Sequence, residues 1–389
     1  MLEEIVQIAA DSPNIHYQLH ALKFGPTAVD DQAAPKKVYL QASLHGDEMP
    51  GSLVAYYLHQ ALLTLEQENQ LKAQIILVPF CNPIGAGQYV NYKHIGRFHL
   101  TTGQNFNRLQ AVDLYSGLKQ RIAADTWQWS TEPTQNVQKI RNALLEIVSQ
   151  TQASNAVNAM HLQLLKWSCD ADIVFDMHCD IEAVLHIYTT PNSWPVFEPL
   201  ARLLRSQCQL IGEDSGCASF DEVLSVLWLR LQQDYPELDL PQACHSATVE
   251  FRSNHDLSHE WAQQDAQAII DYLRIQGCIG SSEAAATAAA PAIAELPALL
   301  TPPHPLTGLC YVNATAQGIV VYHVKPGDWV EPDQALADIM NPMTLQKTTV
   351  YSPAAGIVFA RGGQTLVNPH IKLLSISCPE PVGNGQLSP

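Results

Sequence analysis

Residues 37–65 read KVYLQASLHGDEMPGSLVAYYLHQALLTL. The opening run, Lys37–Leu44, is short and apolar, as a buried strand requires. HGDEMPG interrupts it, and from Ser52 to Leu65 apolar residues return at helical spacing. Strand, polar turn and helix in succession form the repeating unit of an α/β domain, where sites gather at the carboxyl ends of strands. The alternation continues outward. Gln74–Pro79 (QIILVP), Asp172–Met177 (DIVFDM) and Ala247–Phe251 (ATVEF) read as strands, while Gln135–Leu165, Trp194–Ser206 and Trp261–Gln276 carry a helical period. The pattern predicts a largely parallel sheet with helices on both faces.

Composition divides the chain. Residues 281–305, SSEAAATAAAPAIAELPALLTPPHP, are rich in Ala and Pro and read as a linker. Beyond it, short apolar runs broken by Gly, Pro and Asp mark a β-rich segment. The expected division is a catalytic domain at 1–280, a linker at 281–305 and a β domain at 306–389.

The chain has 389 residues, 47% of them hydrophobic and 15% charged, so it can bury a sizeable core. Its net charge of -17 argues against nucleic acid or an anionic membrane as partner. The acidity is local: after residue 300, Lys325, Lys347, Arg361 and Lys372 nearly balance Asp328, Glu331, Asp333, Asp338 and Glu380. An acidic substrate must therefore be captured by a few local arginines. Nine cysteines without CxxC spacing fit free thiols in a reducing compartment. The N-terminus, MLEEIVQIAADSP, has acids where a secretory signal needs bases, and no apolar run approaches roughly 18 residues. The expectation is a cytoplasmic protein.

His45 and Glu48 leave a strand together on a turn and can converge on one cation, with Gly46 letting the backbone bend between them. Imidazole and carboxylate both suit Zn²⁺, whose catalytic sites typically take three protein ligands. HxxE occurs often by chance; the second half of the set gives it weight. Asp176-Met177-His178 ends another apolar strand, and Asp176 shares a face with His178, where it can orient the region around a metal ligand. Glu250, inside SATVEF, is a carboxylate among apolar and β-branched residues. It reads as a general base and acid, or else as the ion-pair partner of Arg252. In Asn105-Phe106-Asn107-Arg108, the Arg108 fork and the Asn107 amide can grip a carboxylate. Arg97, in HIGRFH, is a candidate to hold the oxyanion of an attacked carbonyl.

HGDE, NFNR, DMH and VEF, in that order, resemble the succinylglutamate desuccinylase/aspartoacylase family of the zinc carboxypeptidase-like superfamily, over roughly residues 36–275. The resemblance implies a mixed sheet with helices on both faces. It also implies one zinc per chain on His45, Glu48 and His178, with Glu250 as catalytic carboxylate and Asn107 and Arg108 on a substrate carboxylate. Arg97 is carried over at a spacing longer than expected. The implied reaction is hydrolysis of the amide of a small N-acyl amino acid. Two positions depart from the family pattern: Asp47 stands where Asn is common, and Asn105 where Asp is common. The second bears on how the loop of Asn107 and Arg108 is oriented.

The segment 306–378 resembles the two halves of a biotinyl/lipoyl-like barrel-sandwich module. The spacing back from Gly356 puts Leu345 at the hairpin tip, where a carrier would need lysine, so covalent biotin or lipoate is not expected. A lid, a wall of the substrate cleft or a homo-oligomer contact is expected instead. Two other functions share these residues: a metallocarboxypeptidase acting on peptides, and an inactive binding protein. Cys179, Trp127 and Trp129 read as packing residues, and His186 and Tyr188 as core or surface residues with the pocket as the sharper alternative.

Overall fold

The computed structural model describes residues 1–27, 35–124, 126–280 and 295–387. Among them, nine strands form one large sheet, ordered Leu2–Ala9, His16–Phe24, Gln74–Val78, Lys37–Ala42, Ile173–Asp180, His245–Ser253, His186–Thr189, Cys208–Ile211 and His304–Pro305. The four from Gln74–Val78 to His245–Ser253 are parallel. Antiparallel pairings flank them, so the sheet is mixed.

Alternation along each strand feeds two cores. Val38, Leu40, Ala42, Ile173, Phe175 and Met177 pack with helices Pro50–Gln67, Trp194–Leu203 and His259–Ile275. Tyr39 and Val174 face the other side, with helices Leu114–Ile122, Pro133–Gln150, Ala156–Ser168 and Phe220–Asp234. Helices thus cover both faces, as the alternation predicts. Asp176 and His178 continue the Val174 face. A one-residue slip would drive both into the apolar core under Pro50–Gln67, so core packing fixes the register that builds the site.

Three features differ from expectation. The long helix expected over 135–165 is two helices, Pro133–Gln150 and Ala156–Ser168. Asn155 caps the second by accepting from the Asn158 amide at 2.8 Å, a local bond that competes with helix continuation. The first two strands form an antiparallel hairpin at one edge of the sheet, outside the alternation read from sequence. Of the expected 281–305 linker, residues 281–294 lie outside the described residues, and its last two residues join the large sheet beside Cys208–Ile211.

The C-terminal segment is antiparallel throughout. One sheet runs Leu309–Asn313, Lys372–Ser377, Gly356–Arg361, Trp329–Val330, and the other Lys347–Tyr351, Ala335–Met340, Gly318–Tyr322, Leu366–Val367. They enclose a core that includes Val320, Leu336, Ile339, Val358, Leu374 and Ile376. Leu345 lies in the turn between Ala335–Met340 and Lys347–Tyr351, exposed and at φ 58°. Lys347 opens the next strand with its ammonium 3.1 Å from Asp338. A two-residue strand from the preceding part of the chain, Glu182–Ala183, also pairs with Gly356–Arg361. No helix among the described residues is long and apolar enough to cross a membrane.

Candidate metal centre

The turn after Lys37–Ala42 is built by close backbone contacts. The Gly46 amide donates to the Gly96 carbonyl at 2.8 Å, and the Ser43 hydroxyl to the Glu48 carbonyl at 2.6 Å. A Cβ on Gly46 would stand 2.4 Å from the Gly85 carbonyl carbon, and one on Gly96 2.1 Å from the Asp47 amide. Gly46 is therefore required by the proximity of neighbouring backbone rather than by the bend of its own turn.

His45, Glu48 and His178 meet here, all buried, with donor atoms within 4.8 Å of one another. Glu48 Oε1 lies 2.7 Å from His45 Nδ1, and Oε2 lies 2.8 Å from His178 Nδ1. The far nitrogens are taken: His45 Nε2 is 3.0 Å from Asn105 Oδ1, and His178 Nε2 is 2.9 Å from Asp176 Oδ2. Asn105 Oδ1 and Asp176 can only accept, so a proton on each Nε2 suits both neighbours and turns each Nδ1 towards Glu48. That leaves two Nδ1 lone pairs and a carboxylate facing one point. Three acceptors facing one another repel unless a cation joins them, so the donor set fits a metal such as zinc.

The electrostatics agree. Burial lowers the pKa of His45. Burial alone would lower that of His178 too, but Asp176 and Glu48 on either side raise it well above the ordinary imidazole value. Burial would raise Glu48, yet the two imidazoles hold it well below the usual carboxylate range. Without a metal the triad holds a proton in the cation's place.

The remaining residues follow from register. Gln41, Asp176, Thr248 and Tyr188 face one another across four neighbouring strands, and His178, Glu250 and His186 form the next row. Alternation puts both rows on the face carrying the ligands. Gln41 bridges Tyr39 and Asp176, accepting at 2.9 Å and donating at 2.9 Å. Glu250 lines the cleft, and its Oε2 is buried without a hydrogen-bond partner among the described residues. Burial, then the charge of Glu48, pushes its pKa up to about 8. The alternative partner, Arg252, sits past a register shift at φ 64° and binds Asp265 at 2.8 and 3.0 Å.

Arg97 reaches the ligands directly, with one guanidinium nitrogen 3.3 Å from His45 Nδ1 and 3.5 Å from Glu48 Oε1. Asn107 accepts from the Phe220 amide at 2.8 Å and stands 3.5 Å from His178 Nε2; Arg108 donates to the Asn107 carbonyl at 2.6 Å. Both line the cleft. Cys179 is buried, with burial raising its thiol pKa, and its amide donates to Glu48 at 3.2 Å. Trp127 and Trp129 stack edge to face on each other and pack against the core. Tyr188 lines the cleft, whereas His186 is buried behind it.

Sequence reading missed several contributors. Asn105 was visible only as a departure from pattern, and it proves to orient His45. Asp221 lines the cleft from the first turn of Phe220–Asp234, its pKa raised to about 7 by burial and then by Glu222. An ordinary helix-start acid gives no local signal of that. Tyr311, Phe359, Lys372 and Leu387 reach the cleft from the C-terminal segment, a placement only tertiary docking determines.

Residues 34–212 match the model of the succinylglutamate desuccinylase/aspartoacylase catalytic domain. No curated protein matches the chain. A crystal structure assigned to that family from Shewanella amazonensis is 20% identical, with a TM-score of 0.79 over 97% of this chain and 98% of that one. One from Shewanella frigidimarina is also 20% identical, with a TM-score of 0.77 over 97% of each chain. The product-bound ectoine utilization protein EutE (DoeB) from Ruegeria pomeroyi is 13% identical, with a TM-score of 0.61 over 96% of this chain and 94% of that one. At these identities the likeness shows a shared fold, and it spans both the large sheet and the C-terminal β segment.

Proposed function

Because residues 34–212 match the catalytic-domain model of the succinylglutamate desuccinylase/aspartoacylase family, we propose that the chain is a zinc-dependent amidohydrolase of that family acting on a small N-acyl amino acid. The supporting observation is the convergence of two imidazole Nδ1 atoms and the Glu48 carboxylate, with Glu250 one strand away and its Oε2 without a hydrogen-bond partner among the described residues. Zinc on His45, Glu48 and His178, one ion per chain, would supply Lewis acidity and lower the pKa of a water to ~7.

The protein's own groups do the rest. Glu250 removes a proton from the attacking water and delivers it to the departing nitrogen. Burial and the charge of Glu48 raise its pKa to about 8, so it can hold that proton at neutral pH before passing it on. Arg97, beside the ligands, balances negative charge on the carbonyl oxygen. Asn107 and Arg108 hold the substrate carboxylate. In this reading residues 1–280 perform the chemistry, and residues 306–389 close the far side of the cleft against long substrates.

The test is hydrolysis of N-acetyl, N-succinyl and N-formyl amino acids, with short peptides alongside, by zinc-loaded protein. Glu250→Gln should keep its zinc and lose turnover by about 10²–10⁴-fold. Near-normal rates in that variant would overturn the role of Glu250. Cleavage confined to peptides would identify a carboxypeptidase, and failure to bind any divalent metal would leave a binding protein.

A further inference from the structure

Two bonds to one loop bracket Arg108. On one side the Asn107 carboxamide accepts from the Phe220 amide at 2.8 Å, and on the other the Leu109 amide donates to the Ala218 carbonyl at 3.0 Å. The placement of Asn107 and Arg108 therefore follows residues 212–219, the loop that leads into the helix Phe220–Asp234. From the helix side that loop is tied by Glu222, which accepts from the Ser215 amide and hydroxyl, each at 2.7 Å. Ala218 sits at φ 51°, in the left-handed region, which a residue with a Cβ enters only where its surroundings hold it there.

The other side of the loop is met by residues 382–387. The Val382 and Gly383 amides both donate to the Thr307 carbonyl, at 2.9 and 2.8 Å. Asn384 Oδ1 accepts from the Gln386 amide at 3.1 Å and turns the backbone, with Gly385 between them at φ 74°. Gln386 then reaches Gly216, on which a Cβ would stand 3.7 Å from Gln386 Nε2. The Cys217 thiol donates to the Leu387 carbonyl at 3.4 Å. A thiol is a weak donor, so the firmer hold is apolar. The Leu387 side chain packs on a cluster that includes Leu210, Leu306, Leu309 and Phe359, at the edge of the cleft. Residues 382–387 are thus pinned at Thr307 and again at the loop.

We infer that residues 382–387 are a strap that positions the Asn107–Arg108 clamp, with Leu387 as its anchor. The strap steadies the loop, and the loop holds the residues on either side of Arg108. Leu387 is then a positioning residue, acting on the substrate carboxylate through Arg108 and Asn107. The inference rests on the reading above that those two residues hold that carboxylate. A guanidinium fork meeting a carboxylate tolerates little displacement, and a misplacement of about 1 Å can cost on the order of 10²-fold in rate.

The experiment compares an N-acyl alanine (acetyl, succinyl or formyl, whichever is cleaved fastest) with its carboxamide, which lacks the charge the clamp receives. The proteins are zinc-loaded wild type, Leu387→Asp, Leu387→Met and a chain ending at Pro381, which removes the strap without burying a charge. Leu387→Asp and the shortened chain should lose about 10–100-fold in kcat/KM on the acid, chiefly through KM, and less than about threefold on the carboxamide. Leu387→Met keeps the anchor apolar and should stay within about threefold of wild type on both. Equal losses on acid and carboxamide would overturn the inference. Hydrogen exchange needs no turnover. The Leu109 and Phe220 amides should exchange faster in Leu387→Asp and in the shortened chain, while those of the strand Ile173–Asp180 keep their wild-type rates and show that the fold is intact. Unchanged exchange at Leu109 and Phe220 would refute the strap whatever the kinetics, because Leu387 would then act on the substrate directly. If their exchange quickens but no N-acyl amino acid is cleaved, the reaction reading fails and the strap stands. If cleavage proceeds with an acid preference that ignores Leu387, the strap fails and the reaction reading stands.

Discussion

Asn105→Ala tests how the metal centre is held. The Asn105 carboxamide oxygen accepts from His45 Nε2 at 3.0 Å and from the Asn107 amide at 2.9 Å, and all three residues are buried. Truncation leaves two buried donors unsatisfied, each worth about 1–3 kcal/mol. It also frees the His45 ring to rotate or change tautomer. Removing such a partner typically lowers metal affinity about 10–100-fold, which is about 1.4–2.7 kcal/mol. Asn105→Asp supplies the informative contrast. It keeps an acceptor at both positions and adds a charge that makes His45 a stronger donor to the metal, matching the carboxylate that already backs His178. It also replaces Nδ2, a buried nitrogen without a partner, by an oxygen in the same position. Asn105→Asp should therefore bind zinc more tightly than wild type, and Asn105→Ala more weakly. Competition against a chromogenic chelator measures both, with circular dichroism showing that each variant is folded. Zinc affinity within twofold of wild type in folded Asn105→Ala would refute the claim that this side chain orients His45.

Three further outcomes are expected. Chelation should lower the melting temperature, because an ion bound only by the folded state stabilises it by mass action, and zinc should restore it; calorimetry with and without chelator reads this. Asp221 has a folded pKa of about 7, above the 3.8 of an ordinary Asp. Its folded form holds the extra proton between those values, so the metal-free protein should lose stability as pH rises from about 4 to 7; urea titrations should show a shallower fall in Asp221→Asn. Gly96→Ala forces a Cβ to 2.1 Å from the Asp47 amide and should displace the His45–Glu48 turn; its zinc affinity should fall even where circular dichroism is unchanged.

The sequence revealed the centre where chemistry and local pattern coincide. His45 and Glu48 follow one apolar strand and His178 lies near the end of another, and strand ends are where an α/β sheet places its sites. Glu250 was legible because a carboxylate inside an apolar strand is costly unless used. Asn155 was not read as a cap because one Asn within a helical period is ambiguous until the chain bends. The hairpin of Leu2–Ala9 and His16–Phe24 fell outside the alternation that identified the domain. The rows linking Gln41 to Tyr188 and His178 to His186 depend on register between distant strands, and Lys372 on the docking of one segment against another. Such relations belong to the tertiary structure alone.

Glu182 and Ala183 come just after the strand Ile173–Asp180 that carries His178, yet their partners lie at the far end of the chain, Arg361 being 179 residues from Glu182. A contact of that span closes a very long loop, and folding slows as such contacts come to dominate. The metal ligands all precede residue 180, so a nascent chain holds them long before the segment that steadies their border is synthesised. Zinc capture can therefore run ahead of cleft closure. The order of assembly is ligands first and the C-terminal wall last, with refolding expected to show a fast phase in zinc binding and a slower one in substrate discrimination.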